Sequence, residues 1–188
     1  MMQRLFRGLG LLLLVFLLAS CKKTLKPEEL PSHIAVGNSY YTQFVIRYEK
    51  NTHVTTNYRR GAAVPVNSKV TLLKISPKVI EVELEKSNVP LVIKNVQKHT
   101  GDDIFQSFDK LFAVKKLNLR RFNSLEKKNI TRGSAAKGMR KKAVVAAIGY
   151  PPITETMNLD VDTWVYWSAR FNKFNVNFRN GKVSNIVD

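Results

Sequence analysis

GMRKKAVVAAIGYPP, residues 138–152, carries a helix with its own start, apolar face and stop. Met139, Ala143, Val144, Ala147 and Ile148 recur at the helical period, so one face is apolar. Gly149 supplies the left-handed residue that ends a helix, and Pro151 prevents its continuation. TWVYWSA (163–169) follows as a strand heavy in aromatic residues. In FNVNFRNGKVSNI (174–186), Phe174, Val176 and Phe178 alternate with Asn175, Asn177 and Arg179, the period of a half-buried strand. Asn180-Gly181 then marks a tight hairpin. Upstream, FNSLEKKNI (122–130) offers Asn123 or Ser124 as the cap of a shorter helix. The predicted order is helix, helix, strand, strand, strand.

Towards the amino terminus the period changes from helical to alternating. YYTQFVIRY (40–48), VTTNY (54–58), KVTLLKI (69–75), KVIEVELE (78–85) and LVIKNV (91–96) are rich in aromatic and β-branched residues. Val82 and Leu84 alternate with Glu81, Glu83 and Glu85, and turn chemistry at 59–68, 75–78 and 85–90 separates the runs. These short strands predict a small antiparallel β module, a strongly bent barrel or sheet, with an SH3-like barrel among its forms. In DDIFQSFDKLF (102–112), Asp102 or Asp103 caps a helix striped by Ile104, Phe105, Phe108, Leu111 and Phe112. That stripe must pack on the β module or on the domain after it.

The first residues read as an export signal. Arg4 and Arg7 precede an apolar run from Leu9 to Leu18, shorter than the roughly 20 residues that span a bilayer. Ala19 and Ser20 are small, and Leu18-Ala19-Ser20-Cys21 resembles the lipobox of bacterial lipoproteins. In that class the chain is cut before the cysteine, here between Ser20 and Cys21. The sulfur carries a diacylglyceryl group and the new amino terminus an N-acyl chain. Lys22 stands where an Asp would retain such a protein at the inner membrane of enteric bacteria, so the resemblance points to the outer membrane. Residues 22–36 are polar, hold Pro27 and Pro31, and show no period, which predicts a tether. The expected division is a signal peptide (1–20), a tether (21–36), a β module (37–100), a helical connector (101–124) and a C-terminal α+β domain (125–188).

The C-terminal domain resembles the BamE-like (SmpA/OmlA) family of bacterial envelope lipoproteins. The residues that carry the resemblance are Gly138-Met139, Val144 in the short helix, Ile148-Gly149-Tyr150-Pro151, Trp164 and Tyr166 in a strand, and Phe178 to Val183 in the last hairpin. It implies two helices packed on a three-stranded antiparallel sheet. It also implies a part in the envelope, since the founding member is an accessory subunit of the outer-membrane β-barrel assembly machine. Arg140 departs from the Ser or Thr that often follows Gly-Met, which removes a side-chain cap.

Charge and chemistry narrow the function. The 188 residues include 31 Lys and Arg against 14 Asp and Glu, a net charge of +17. Residues 115–142 hold eleven of the basic residues and one acid, Glu126. Such density predicts either an acidic partner or a solvated face that keeps a basic protein soluble, and Lys127, Lys128, Arg132, Lys137, Arg140, Lys141 and Lys142 are the candidate contacts of the first reading. For an exported, lipid-tethered chain the partner is anionic lipid or another acidic surface and not nucleic acid. His33, His53 and His99 have no metal-ligand spacing, and no nucleophile motif or phosphate-cradling glycine loop is present. The expectation is a non-enzymatic scaffold or adaptor on the periplasmic face of the outer membrane, held by its lipid and supporting an envelope protein complex such as outer-membrane protein assembly. The alternative is an accessory lipoprotein of another envelope machine, a secretion apparatus or a cell-wall tether.

Overall fold

Two hydrophobic cores organise residues 24–188, the part of the chain that the computed structural model describes. The fold class is α+β, as the alternating and helical periods predict. Ser20 and Cys21, the expected cleavage and lipidation positions, lie outside the described residues.

The first core is built on β1 (Ser39–Thr42), β2 (Ile46–Tyr48), β3 (Thr52–Val54), β4 (Ala62–Val64), β5 (Lys69–Ser76), β6 (Val79–Leu84) and β7 (Val89–Lys94). Two short helices, α1 (Gln97–Thr100) and α2 (Ile104–Leu111), and the two-residue strand β8 (Phe112–Ala113) complete it. A six-stranded sheet runs β3-β7-β6-β5-β1-β8, and β2 pairs with β4 apart from it. β6 behaves as its alternation requires. Ile80, Val82 and Leu84 are buried while Glu81 and Glu83 lie on the other face, and Val82 stands opposite Leu72 and Leu91.

The sheet is mixed, which corrects the antiparallel expectation. β3 lies parallel to β7, with His53 opposite Ile93. Lys50 and Asn51 turn the chain with φ of 48° and 54°, and Val92 N–H donates to Asn51 C=O at 2.8 Å. A period of two reports which face is buried and carries no direction, so only this turn and its pairing decide the sense of β3.

Two expected boundaries also move. The stretch read as a tether is packed from Leu25 onward: Leu25 N–H donates to Ile75 C=O at 2.9 Å, Ile34 is 3% exposed, and Leu25 and Leu30 lie against the core. These apolar residues cover the core without forming a regular element, and so leave no period. The stretch read as a connector belongs largely to the first core. Asp103 caps α2 by accepting from Phe105 N–H and Gln106 N–H, and the Gln106 side chain returns to Asp103 N–H. The helix then buries Ile104, Phe108 and Leu111, with Phe108 edge-on to Tyr40 at 4.9 Å.

The second core comprises α3 (Ser124–Arg132), α4 (Lys141–Ile148), β9 (Thr163–Ala169), β10 (Asn172–Arg179) and β11 (Lys182–Val187). The three strands form one antiparallel sheet in the order β11-β10-β9, and the helices contribute Ile130, Ala143, Val144 and Ala147 to the core that Trp164, Tyr166, Val176 and Phe178 share. Asn123 caps α3, reciprocated by the Glu126 side chain.

The two cores meet along a close seam. Asn57 Nδ2 donates to Ile148 C=O at 2.7 Å and Tyr150 C=O at 2.9 Å. Arg59 donates to Val45 C=O at 3.1 Å and Gly133 C=O at 3.4 Å. Gly133 and Gly149 allow this approach: a Cβ would fall 2.8 Å from Val45 and 2.7 Å from Phe44, and both residues have positive φ.

Candidate functional site

α3 presents its cations on the face opposite its buried one. Glu126, Asn129 and Ile130 point inward, so Lys127, Lys128 and Arg132 share the outward side at i, i+1 and i+5. Lys128 and Arg132 are spaced i, i+4, where like charges destabilise a helix by about 0.2–0.5 kcal/mol. Lys137 and Lys142 are also exposed. None of these five forms an ion pair among the described residues.

Arg140 and Lys141 do not belong with them, which corrects the expected set. Arg140 stands at the N-cap of α4 without a side-chain cap, and its guanidinium turns to the buried Glu126. Nε donates to Glu126 Oε1 at 2.7 Å, and Arg140 backbone N–H reaches the same oxygen at 3.1 Å. Asn123 N–H donates to Oε2 at 3.1 Å, so one carboxylate ties the starts of both helices. The Arg140 guanidinium, aided by the Arg140 and Asn123 N–H groups, holds the Glu126 carboxyl down at about 2 against the opposing effect of its burial. Lys141 is spent differently. Its ammonium donates to the carbonyls of Leu159, Asp160 and Val161 at 3.0, 2.8 and 2.8 Å, and it lies over the rings of Trp164 and Phe178. It pins the loop that leads into β9.

The structure adds two cations that the sequence reading missed. Arg179 and Lys182 flank the Asn180-Gly181 turn and stand directly opposite each other across β10 and β11. With Lys137 they line an open concavity of about 680 Å³. The signal was legible, because a two-residue hairpin places its flanking residues face to face. Like charges so placed oppose pairing, and neither forms an ion pair among the described residues. The exposed cations without an ion pair are therefore Lys127, Lys128, Arg132 and Lys142 on the helices and a second group, Lys137, Arg179 and Lys182, at the hairpin.

The histidines are held apart. His33 meets Asp109 at 2.7 Å, His99 meets Thr56 at 2.6 Å, and His53 is buried against Arg47 C=O at 2.7 Å. No group of three or more His, Cys, Asp or Glu among the described residues could hold a metal ion. Among the described residues no helix is long and apolar enough to cross a membrane.

No family model matches the chain, and no curated protein or solved structure matches it either.

Proposed function

We propose that this chain is a non-enzymatic, lipid-anchored scaffold or adaptor on the periplasmic face of the bacterial outer membrane, docking its basic face on an acidic surface of an envelope protein complex. The observation that carries the proposal is the set of outward cations kept in mutual repulsion, Lys128 with Arg132 and Arg179 with Lys182. Such pairs lower folding stability by a few tenths of a kcal/mol each, and an acidic partner turns that repulsion into attraction. The Cys21 anchor would hold the face near the membrane and raise its effective concentration for a neighbouring partner.

The finer fold reading belongs to the same proposal. Two helices on a three-stranded antiparallel sheet are what a BamE-like domain requires, and the order β11-β10-β9 with α3 and α4 supports that reading of residues 125–188. For the first core, an SH3-like reading has the strongly paired β5-β6-β7 meander in its favour and the parallel β3–β7 pair against it.

The test is a crosslinking pull-down of the full chain from detergent-solubilised membranes, read by mass spectrometry and repeated with Lys127, Lys128 and Arg132 changed to Glu. Barrel-assembly subunits recovered by the native chain and lost by the variant are the expected result. Secretion or cell-wall components would favour the alternative machine. Equal recovery by both chains would remove the basic face from the proposal.

A further inference from the structure

A cavity of about 230 Å³ opens where the two cores meet, and nothing in the docking proposal uses it. The first core gives it Phe44 and Leu111, and the segment after α4 gives it Tyr150, Pro151, Ile153 and Leu159. Most polar groups in the wall are already satisfied by the protein. Asn57 Nδ2 serves two carbonyls, Thr55 and Ser107 donate to Asn95, and Thr156 accepts from Val165 N–H. Lys110 is bound to both oxygens of Asp102 at 2.6 and 2.8 Å and faces the Tyr150 ring at 5.1 Å, so this pair adds no net charge.

Of the groups left without a protein partner, which include the Tyr150 hydroxyl, His53 is the buried one. It lines the cavity and is 2% exposed. The carbonyl of Arg47 can only accept, so Nδ1, at 2.7 Å, carries the proton and donates it. Burial keeps the ring neutral, which leaves a lone pair on Nε2. Nε2 has no hydrogen-bond partner among the described residues. The wall thus combines an apolar body, no net charge and a buried histidine whose Nε2 lacks a protein partner. A dry apolar cavity of about 150 Å³ holds benzene, so this one has room for a substituted ring.

We propose that the cavity binds a small neutral molecule with a ring-sized apolar body and one hydroxyl or N–H, which donates to His53 Nε2. A charged ligand would have to be desolvated beside the neutral Asp102–Lys110 pair, which gives it no opposite charge in return. A ligand without the donor would leave Nε2 unsatisfied, and a buried acceptor left unmet weakens binding.

The test titrates p-cresol and its isostere p-xylene into the full chain, held in solution by an amphipathic polymer, and follows backbone amide signals by NMR. The expected result is shifts at Phe44, Leu111 and Ile153, with p-cresol binding at least about fivefold tighter than p-xylene. His53→Phe brings p-cresol down to the p-xylene level, and Ile153→Trp, at a partly exposed wall position, abolishes both. Should His53→Phe fail to fold, the two probes against the native chain and Ile153→Trp still decide. Equal affinity for the two probes, shifts unchanged by Ile153→Trp, or no shift at all would overturn the proposal.

Discussion

The side-chain amide of Asn57 donates to the carbonyl of Ile148 at 2.7 Å, so a loop residue of the first core supports the last turn of a helix in the second. Asn57 is buried and has a φ of 62°, a conformation that Asn and Asp tolerate better than most residues. Asn57→Asp retains the shape and backbone while facing two carbonyls with a carboxylate in place of donors. It should lower unfolding free energy by about 3 kcal/mol. Urea denaturation checks this, and because the seam joins both cores, one probe in each core should report the loss together.

Glu126 and Arg140 make a second internal tie with a different signature. Arg140→Met leaves the buried carboxylate without its cation and should cost roughly 3 kcal/mol. Glu126→Leu with Arg140→Met removes both charges and should recover much of that loss, since a buried pair adds little beyond a packed apolar substitute. A double-mutant cycle measures it. Additive losses would mean that the two side chains act independently.

Acidification should weaken the fold in two separable windows. His53 has its pKa lowered to about 4 by burial, so between 6.5 and 4 the unfolded chain binds a proton that the folded chain refuses. Stability is full above 6.5 and falls by roughly 3 kcal/mol as the pH drops through that range. Glu126, held at about 2, contributes stability above its ordinary 4.5 that is lost as the pH falls further towards 2. Thermal melts of His53→Gln should flatten the upper window only, and those of Glu126→Gln the lower only.

Much of this architecture is legible in short-range pattern. The alternation of Val82 and Leu84 with the glutamates of β6, the caps at Asp103 and Asn123, and the stop at Gly149 all act within a few residues. What escapes is decided at a distance. Arg140 and Lys142 look alike in sequence, yet one reaches a carboxylate fourteen residues back and the other faces solvent. Leu25 and Ile34 pack without a period, and the direction of β3 depends on a partner strand far along the chain. The cavity is further still from sequence, since His53 and Ile153, far apart in the chain, line it together only in the folded protein.

Cys21 provides a test of the anchor. Cys21→Ser should abolish incorporation of labelled palmitate and move the chain from the membrane to the soluble fraction. Lipid burial contributes about 0.8 kcal/mol per methylene, so the loss of the proposed acyl chains should be evident in simple fractionation. Retention of label would place the acylation at another residue.

The basic residues should divide by role. Lys141 spends its ammonium on three carbonyls, so Lys141→Met should lower the melting temperature by several degrees, with the loop at Leu159–Val161 the first region to lose amide protection. Lys127, Lys128 and Arg132 have no such internal work. Changing all three to Glu should leave stability within about 1 kcal/mol of the native chain. Binding to anionic vesicles, or to the complex recovered in the pull-down, should nevertheless fall at least about tenfold at low ionic strength. The difference should shrink as salt approaches 1 M, where the screening length drops to about 3 Å. Arg179→Glu tests whether the hairpin shares this face. It replaces a repulsive pair with an attractive one across β10 and β11, so the fold should gain slightly while binding weakens. Opposite signs on those two measurements separate a docking face from a merely solvated one, because a solvated face would show the gain in stability and no change in binding.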